Sequence, residues 1–154
     1  MRIEAFLLES PLFAVTSTAR RFEALTARIL EEDELSFLEA LVVAAIFFEA
    51  PNPVRPSTLA ETFGTTRGNV SHCLSSLEAK GHVQRRIDPE DARAYRITLK
   101  PQGRKAAVRV IGAFDRLQRV IERDAGKGAL REMLGMLRQV EAAFAGAVAA
   151  KRGR

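Results

Sequence analysis

The sequence predicts a mainly α-helical chain that carries one small β-hairpin, and three observations lead there. Apolar residues recur at helical spacing in segment after segment, each opened by a capping residue or proline and closed by glycine or proline. After Gly81 the period changes to two, over Val83–Ile87 and again over Tyr95–Leu99. The basic residues concentrate around that change of period: residues 80–105 hold eight lysines and arginines against three acids, whereas residues 1–50 hold four against nine.

Ser10-Pro11 reads as an N-cap followed by proline at the first helical position. The helix it opens is expected to reach about Ile29–Leu30, with Leu12, Val15, Phe22, Leu25 and Ile29 as its apolar positions. Past the acidic run Glu31–Glu34, Ser36-Phe-Leu-Glu39 has the form of a capping box, in which serine and glutamate satisfy two free amides reciprocally. Phe37, Leu38, Leu41, Val42, Ala45 and Phe48 then form a broad apolar stripe, stopped by Pro51-Asn-Pro53.

Pro56 opens a short helix to Phe63, ended by Gly64. Thr66 caps the next, which runs to about Ala79 and buries Val70, Cys73, Leu74 and Leu77. Two helices joined by so tight a turn form a helix-turn-helix. The strands that follow are separated by Asp88-Pro-Glu-Asp-Ala-Arg93, a polar loop of turn formers. A hairpin with a charged tip directly behind a helix-turn-helix is a wing. Pro101 then opens a long helix with Ala107, Val110, Ile111, Phe114, Leu117 and Ile121 on one face, expected to break at Gly126 and Gly128. A last helix carries Leu130, Met133, Leu134, Leu137, Val140, Phe144 and Val148.

With 47% apolar residues the chain has enough to bury a core. No run approaches the roughly 20 apolar residues of a membrane span. The start, Met-Arg-Ile-Glu, shows no signal-peptide pattern, and one cysteine permits no internal disulfide, so a cytoplasmic protein is expected. There is no phosphate-binding glycine loop, no serine nucleophile elbow, and no carboxylate near either histidine in sequence to orient it. No catalytic residue and no cofactor are expected. Cys73 with His72 and His82 lacks metal-ligand spacing, so no metal site is expected either.

The segments Leu59-Ala-Glu-Thr-Phe-Gly64, Thr66-Arg-Gly-Asn-Val-Ser71 and Leu77-Glu-Ala-Lys-Gly81 resemble the helix-turn-helix of the MarR family of transcriptional regulators. The hairpin is similar too, through Val83-Gln-Arg-Arg86, Asp88-Pro-Glu-Asp91, Asp91-Ala-Arg93, Ile97-Thr-Leu99 and Gly103. The likeness is dense over about residues 36–105. His82, Lys100 and Arg55 depart from it, standing where leucine or tyrosine, threonine, and a small N-cap residue are usual. The resemblance implies a winged helix-turn-helix with N- and C-terminal dimerisation helices. We therefore divide the chain into an N-terminal dimerisation region (1–34), the winged unit (35–100) and the C-terminal dimerisation helices (101–154). It implies a homodimer on a pseudo-palindromic double-stranded DNA operator and, in many members, release by a small aromatic effector.

A recognition helix reads DNA with the side chains its core stripe does not use. Here these are Thr66, Arg67, Asn69, Ser71, His72 and Ser75, with Gly68 leaving room for close backbone approach. Arg67 suits guanine and Asn69 adenine, while Ser71 and Ser75 suit phosphates. In the wing, Arg93 is expected in the minor groove with Asp91 holding its stem, and Arg86 and Arg96 are expected on phosphates. Arg85 alternates with the apolar face and reads as either a contact or an internal strut. Ser57 and Thr58 open the preceding helix and offer hydroxyls to a phosphate. By analogy, an effector pocket would be walled by Phe22, Phe37 and Leu41, with Arg20 or Arg21 for a carboxylate. Cys73 lies among apolar neighbours and is expected to be inert rather than redox-active. The competing expectation is a winged-helix protein-interaction module without DNA binding, against which the retained arginines argue.

Overall fold

The computed structural model describes residues 3, 7, 9–88 and 91–152, and the side chains of all of these except 91–94, 151 and 152. Six α-helices and one two-stranded antiparallel sheet are present among them. In chain order they are α1 (Pro11–Ile29), a 3-10 turn (Glu31–Asp33), α2 (Phe37–Glu49), α3 (Pro56–Thr62), α4 (Arg67–Ala79), β1 (Val83–Asp88), β2 (Asp91–Leu99), α5 (Pro101–Ala125) and α6 (Lys127–Arg152). The chain forms two compact units: residues 21–114, and the terminal segments up to residue 20 and from residue 115 onward.

The unit of residues 21–114 holds the buried core. The capping box at the head of α2 is complete. Ser36 Oγ accepts from the Glu39 amide at 3.2 Å, and Glu39 Oε2 accepts from the Ser36 amide at 2.7 Å. From α2, Ala40, Val42, Val43 and Ile46 are buried, as are Val70, Cys73, Leu74 and Leu77 from α4. Val83 and Ile97 close this core from the hairpin, and Ala106, Ala107 and Val110 close it from the start of α5. Gly64 makes the turn between α3 and α4 at φ 58°, a left-handed conformation that glycine adopts without steric cost. Where α5 begins, Gly103 packs against the backbone of His82 with no room for a side chain.

Four expectations need correction. Phe48 is 69% exposed instead of buried, while Ile46 in the same turn is buried and Phe47 packs against the core, so Phe48 lies on the side of α2 turned away from it. Ile87 and Tyr95, which face each other across the hairpin, are also exposed; only the base of the hairpin, Val83, Ile97 and Leu99, reaches the core. Residues 88–93 are not all loop. β1 runs to Asp88 and β2 begins at Asp91, with Asp88 paired to Asp91 and Ile87 to Tyr95. This leaves Ala92, Arg93 and Ala94 as a bulge on β2, which composition did not reveal because aspartate and proline are turn formers. Finally, Gly126, at φ 80°, alone separates α5 from α6, and Gly128 lies within α6.

In the terminal unit, Leu12 and Val15 of α1 and Leu137, Val140, Phe144 and Val148 of α6 line an open apolar groove of about 680 Å³. Met133, Leu134 and Met136 of α6 are also exposed. This unit shows a large apolar surface and little core of its own.

Candidate nucleic-acid interface

Helix α4 has one apolar and one polar face. Thr66 caps it, its hydroxyl accepting from the Asn69 amide at 3.1 Å. Arg67, Gly68, Asn69, Ser71, His72 and Ser75 are exposed along the opposite side from the core stripe. The Asn69 side-chain amide donates to Thr65 Oγ1 at 3.1 Å. In α3, Thr58 is exposed and Ser57 half-buried.

Arg85 joins the hairpin to this helix. Its Nη2 donates to Ser75 Oγ at 2.7 Å and to the Ser71 carbonyl at 3.3 Å, while Nε lies 3.3 Å from Glu78. Ser75 Oγ also donates to the Ser71 carbonyl at 3.0 Å, so a phosphate reaching Ser75 has to compete with that carbonyl for the hydroxyl proton. Sequence alone left Arg85 open between contact and strut; the geometry is that of a strut.

The outer face of the hairpin is cationic. Arg86 is exposed and sits directly opposite Arg96 in the register. Arg96 Nη2 donates to Asp88 Oδ1 at 2.8 Å, and Arg55 Nη2 reaches Asp88 Oδ2 at 3.5 Å. Asp88, 1% exposed, is thus covered by guanidinium groups from two different elements. Asp88 and Arg55 were missed in the sequence: one reads as a turn residue, the other as an unsuitable helix cap. Arg93 and Asp91 lie on β2 by backbone, and their side chains lie outside the described residues.

Behind α4, Lys80 Nζ donates to the Glu34 carbonyl at 2.7 Å and to both carboxylate oxygens of Glu39 at 3.0 and 2.9 Å. Burial pushes the Glu39 carboxyl up, but hydrogen bonds from Ser76, the Ser36 amide and Lys80 outweigh it, and the net direction is down. The 3-10 turn is tied to α5 through Asp33 and Arg109, whose Nε donates at 2.9 Å. His82 is 4% exposed, and burial, aided by Lys80, holds its imidazole below the usual value. Burial and the nearby Glu39 carboxylate push the Cys73 thiol up to about 12, so it is protonated at neutral pH.

Of the residues expected to wall an effector pocket, Arg20 belongs to the terminal unit and Arg21, Phe22, Phe37 and Leu41 to the unit of residues 21–114. Arg20, Arg21 and Phe22 are exposed, Leu41 is half-buried, and Phe37 already stacks edge-on against Phe114, ring centroids 6.2 Å apart. Three cavities of about 330, 270 and 280 Å³ in the same unit are lined by other residues. Among the described residues there is no cluster of three potential metal ligands, and no helix is long and apolar enough to cross a membrane.

A sequence profile of the MarR family matches residues 35–94, the span from the head of α2 to the bulge of β2. Over those residues the chain is similar to the MarR family. Solved structures extend the likeness of fold over most of the chain. The S. aureus MepR–DNA complex superposes with a TM-score of 0.78 at 16% identity, covering 88% of this chain and 96% of that one. The M. tuberculosis regulator MOSR, in complex with DNA, gives 0.72 at 23% identity, covering 88% and 98%. MarR itself gives 0.67 at 20% identity, covering 89% and 92%. No curated protein matches the chain by sequence. The MarR family and these neighbours are transcriptional regulators and not enzymes.

Proposed function

We propose that this chain is a sequence-specific DNA-binding transcriptional regulator, a repressor that occupies a pseudo-palindromic operator as a homodimer. The observation that carries the reading is the exposed donor face of α4 set beside a hairpin whose outer face is lined with arginine. A short polar helix of this kind fits the major groove, and the flanking cations fit the phosphates beside it. Two of the structural neighbours were solved with DNA, which supports the same use of the fold here. The dimer rests on the apolar groove and exposed methionines and leucines of the terminal helices, more apolar surface than a lone monomer normally leaves in water. Release by a small aromatic ligand is supported by family analogy alone.

Selection of bound duplexes from a random pool tests the reading. The expected product is a two-fold symmetric site with half-sites about one helical turn apart, bound with an affinity that falls steeply with salt. Selected sequences without dyad symmetry, or a flat salt response, overturn it, as does a monomeric mass by light scattering at micromolar concentration. A protein-interaction module would retain no duplex at all.

A further inference from the structure

The hairpin has a third, partial neighbour. Val54 forms an antiparallel bridge with Ile97, and the Ile97 amide donates to the Val54 carbonyl at 3.1 Å. One step along an antiparallel bridge from Val54 and Ile97 lie Arg55 and Arg96, and Arg96 is already paired with Arg86 on its other side. Three arginines therefore stand abreast across the base of the wing, one from each of three neighbouring backbone segments. Like charges placed opposite one another in a sheet repel. Among the described side chains a single carboxylate, Asp88, is bonded to this row, with one oxygen on Arg96 and the other on Arg55.

We infer that Arg55, Arg96 and Arg86 form one phosphate-binding row on duplex DNA, with the buried Asp88 as the positioning residue that aims Arg55 and Arg96. This rests on the DNA-binding reading above and adds Arg55 and Asp88 to it. Arg55 immediately precedes α3, the first helix of the helix-turn-helix, an element that crosses the phosphate backbone in that motif. Its side chain is 54% exposed and touches Asp88 through one nitrogen at 3.5 Å, leaving the outer edge of the guanidinium available. A guanidinium presents five donors in a fixed fork that matches two phosphate oxygens, so a half-occupied, oriented arginine is suited to a second anion. A small residue in its place would cap the helix but offer the backbone no charge.

Titration of wild type and variants against operator and scrambled duplex across several salt concentrations, with melting temperatures alongside, tests the inference. Arg55→Ala is expected to weaken binding to operator and scrambled duplex alike. It is also expected to make the slope of log affinity on log salt shallower by about 0.9, one phosphate's worth, with little change in melting temperature. Arg55→Lys keeps the charge and loses the fork, so it should keep the slope and lose part of the affinity. Asp88→Asn separates aim from charge. Removing a negative group from a phosphate-binding surface should tighten binding if only charge counts, whereas loss of aim weakens it. If Arg55→Ala lowers the melting temperature but leaves the salt slope unchanged, the row is a structural clamp and the inference falls. Tighter binding by a folded Asp88→Asn overturns the positioning role. A wild-type protein that binds no duplex at all overturns the DNA-binding reading itself.

Discussion

Gly103 lies so close beneath the carbonyl of His82 that a Cβ there would run into the backbone oxygen, with the His82 carbonyl carbon as the next atom in its way. The same carbonyl accepts the Lys100 amide at 2.9 Å, so the turn after α4 and the start of α5 are fastened at one point. Gly103→Ala cannot be absorbed by a side-chain movement, because what it meets is backbone. It is expected to destabilise the fold by about 1–3 kcal/mol, the range for forced overpacking. A lowered urea midpoint at unchanged slope is the check. An unchanged midpoint would mean that the two backbones separate without cost.

Acid should weaken the protein in two stages. His82 is held below its ordinary value of 6.5 by burial and by Lys80 and Arg109, against the pull of Asp33 and Glu39. A base with a depressed folded-state pKa takes up its proton more readily in the unfolded chain. Stability is therefore present above pH 6.5 and declines as pH falls below it. Glu39, lowered from 4.5, loses its contribution in a second window beginning near that value as pH falls. Urea midpoints from pH 7.5 to 5.5 should drop for wild type and drop less for His82→Leu. Identical pH profiles for the two proteins would show that His82 does not titrate across this range.

Cys73 should resist both alkylation and peroxide. A thiol with a pKa near 12, 5% exposed, offers almost no thiolate at pH 7.5. Iodoacetamide labelling of the native protein should be slow and become complete only in denaturant, and Cys73→Ser should leave duplex affinity unchanged. Rapid native labelling, or peroxide-driven loss of DNA that vanishes in the serine variant, would contradict this.

The helix and the wing should fail differently. Arg67→Ala or Asn69→Ala removes a side chain from the start of α4 and should cost roughly 1–3 kcal/mol on the selected operator, with little change on random duplex. Arg86→Ala should weaken both duplexes together, because phosphates are common to every sequence. Paired titrations decide it: if the helix variants lose both duplexes equally and the wing variant loses only the operator, the two roles are exchanged.

Local signals predicted local structure well. The serine–glutamate box at Ser36 and Glu39, the threonine cap at Thr66 and the period change after Gly81 are each written in a few adjacent residues, and each appears where its chemistry places it. What escaped the sequence depends on partners distant along the chain. Asp88 reads as a turn former until Arg55 and Arg96 are brought over it, and Lys80 reads as an ordinary helix-end cation until Glu39 and Glu34 meet it from 41 and 46 residues away. Periodicity also reports which face is apolar but not how far the core extends along it. Ile87 and Tyr95 carry the right pattern and lie past its edge.

Arg85 grips Ser71, Ser75 and Glu78 at once, and this has a consequence for any DNA the protein holds. Helix and hairpin cannot separate without breaking these bonds, so the bonds favour one span between their outer surfaces, which acts as a gauge. A duplex whose grooves already match that gauge is held without distortion, and one that does not must bend or twist to fit. The cost of doing so depends on base steps that no side chain touches. Sequence preference is thus expected to extend into the base pairs between the helix and wing contacts, where it reports the stiffness of the DNA and not its chemical letters.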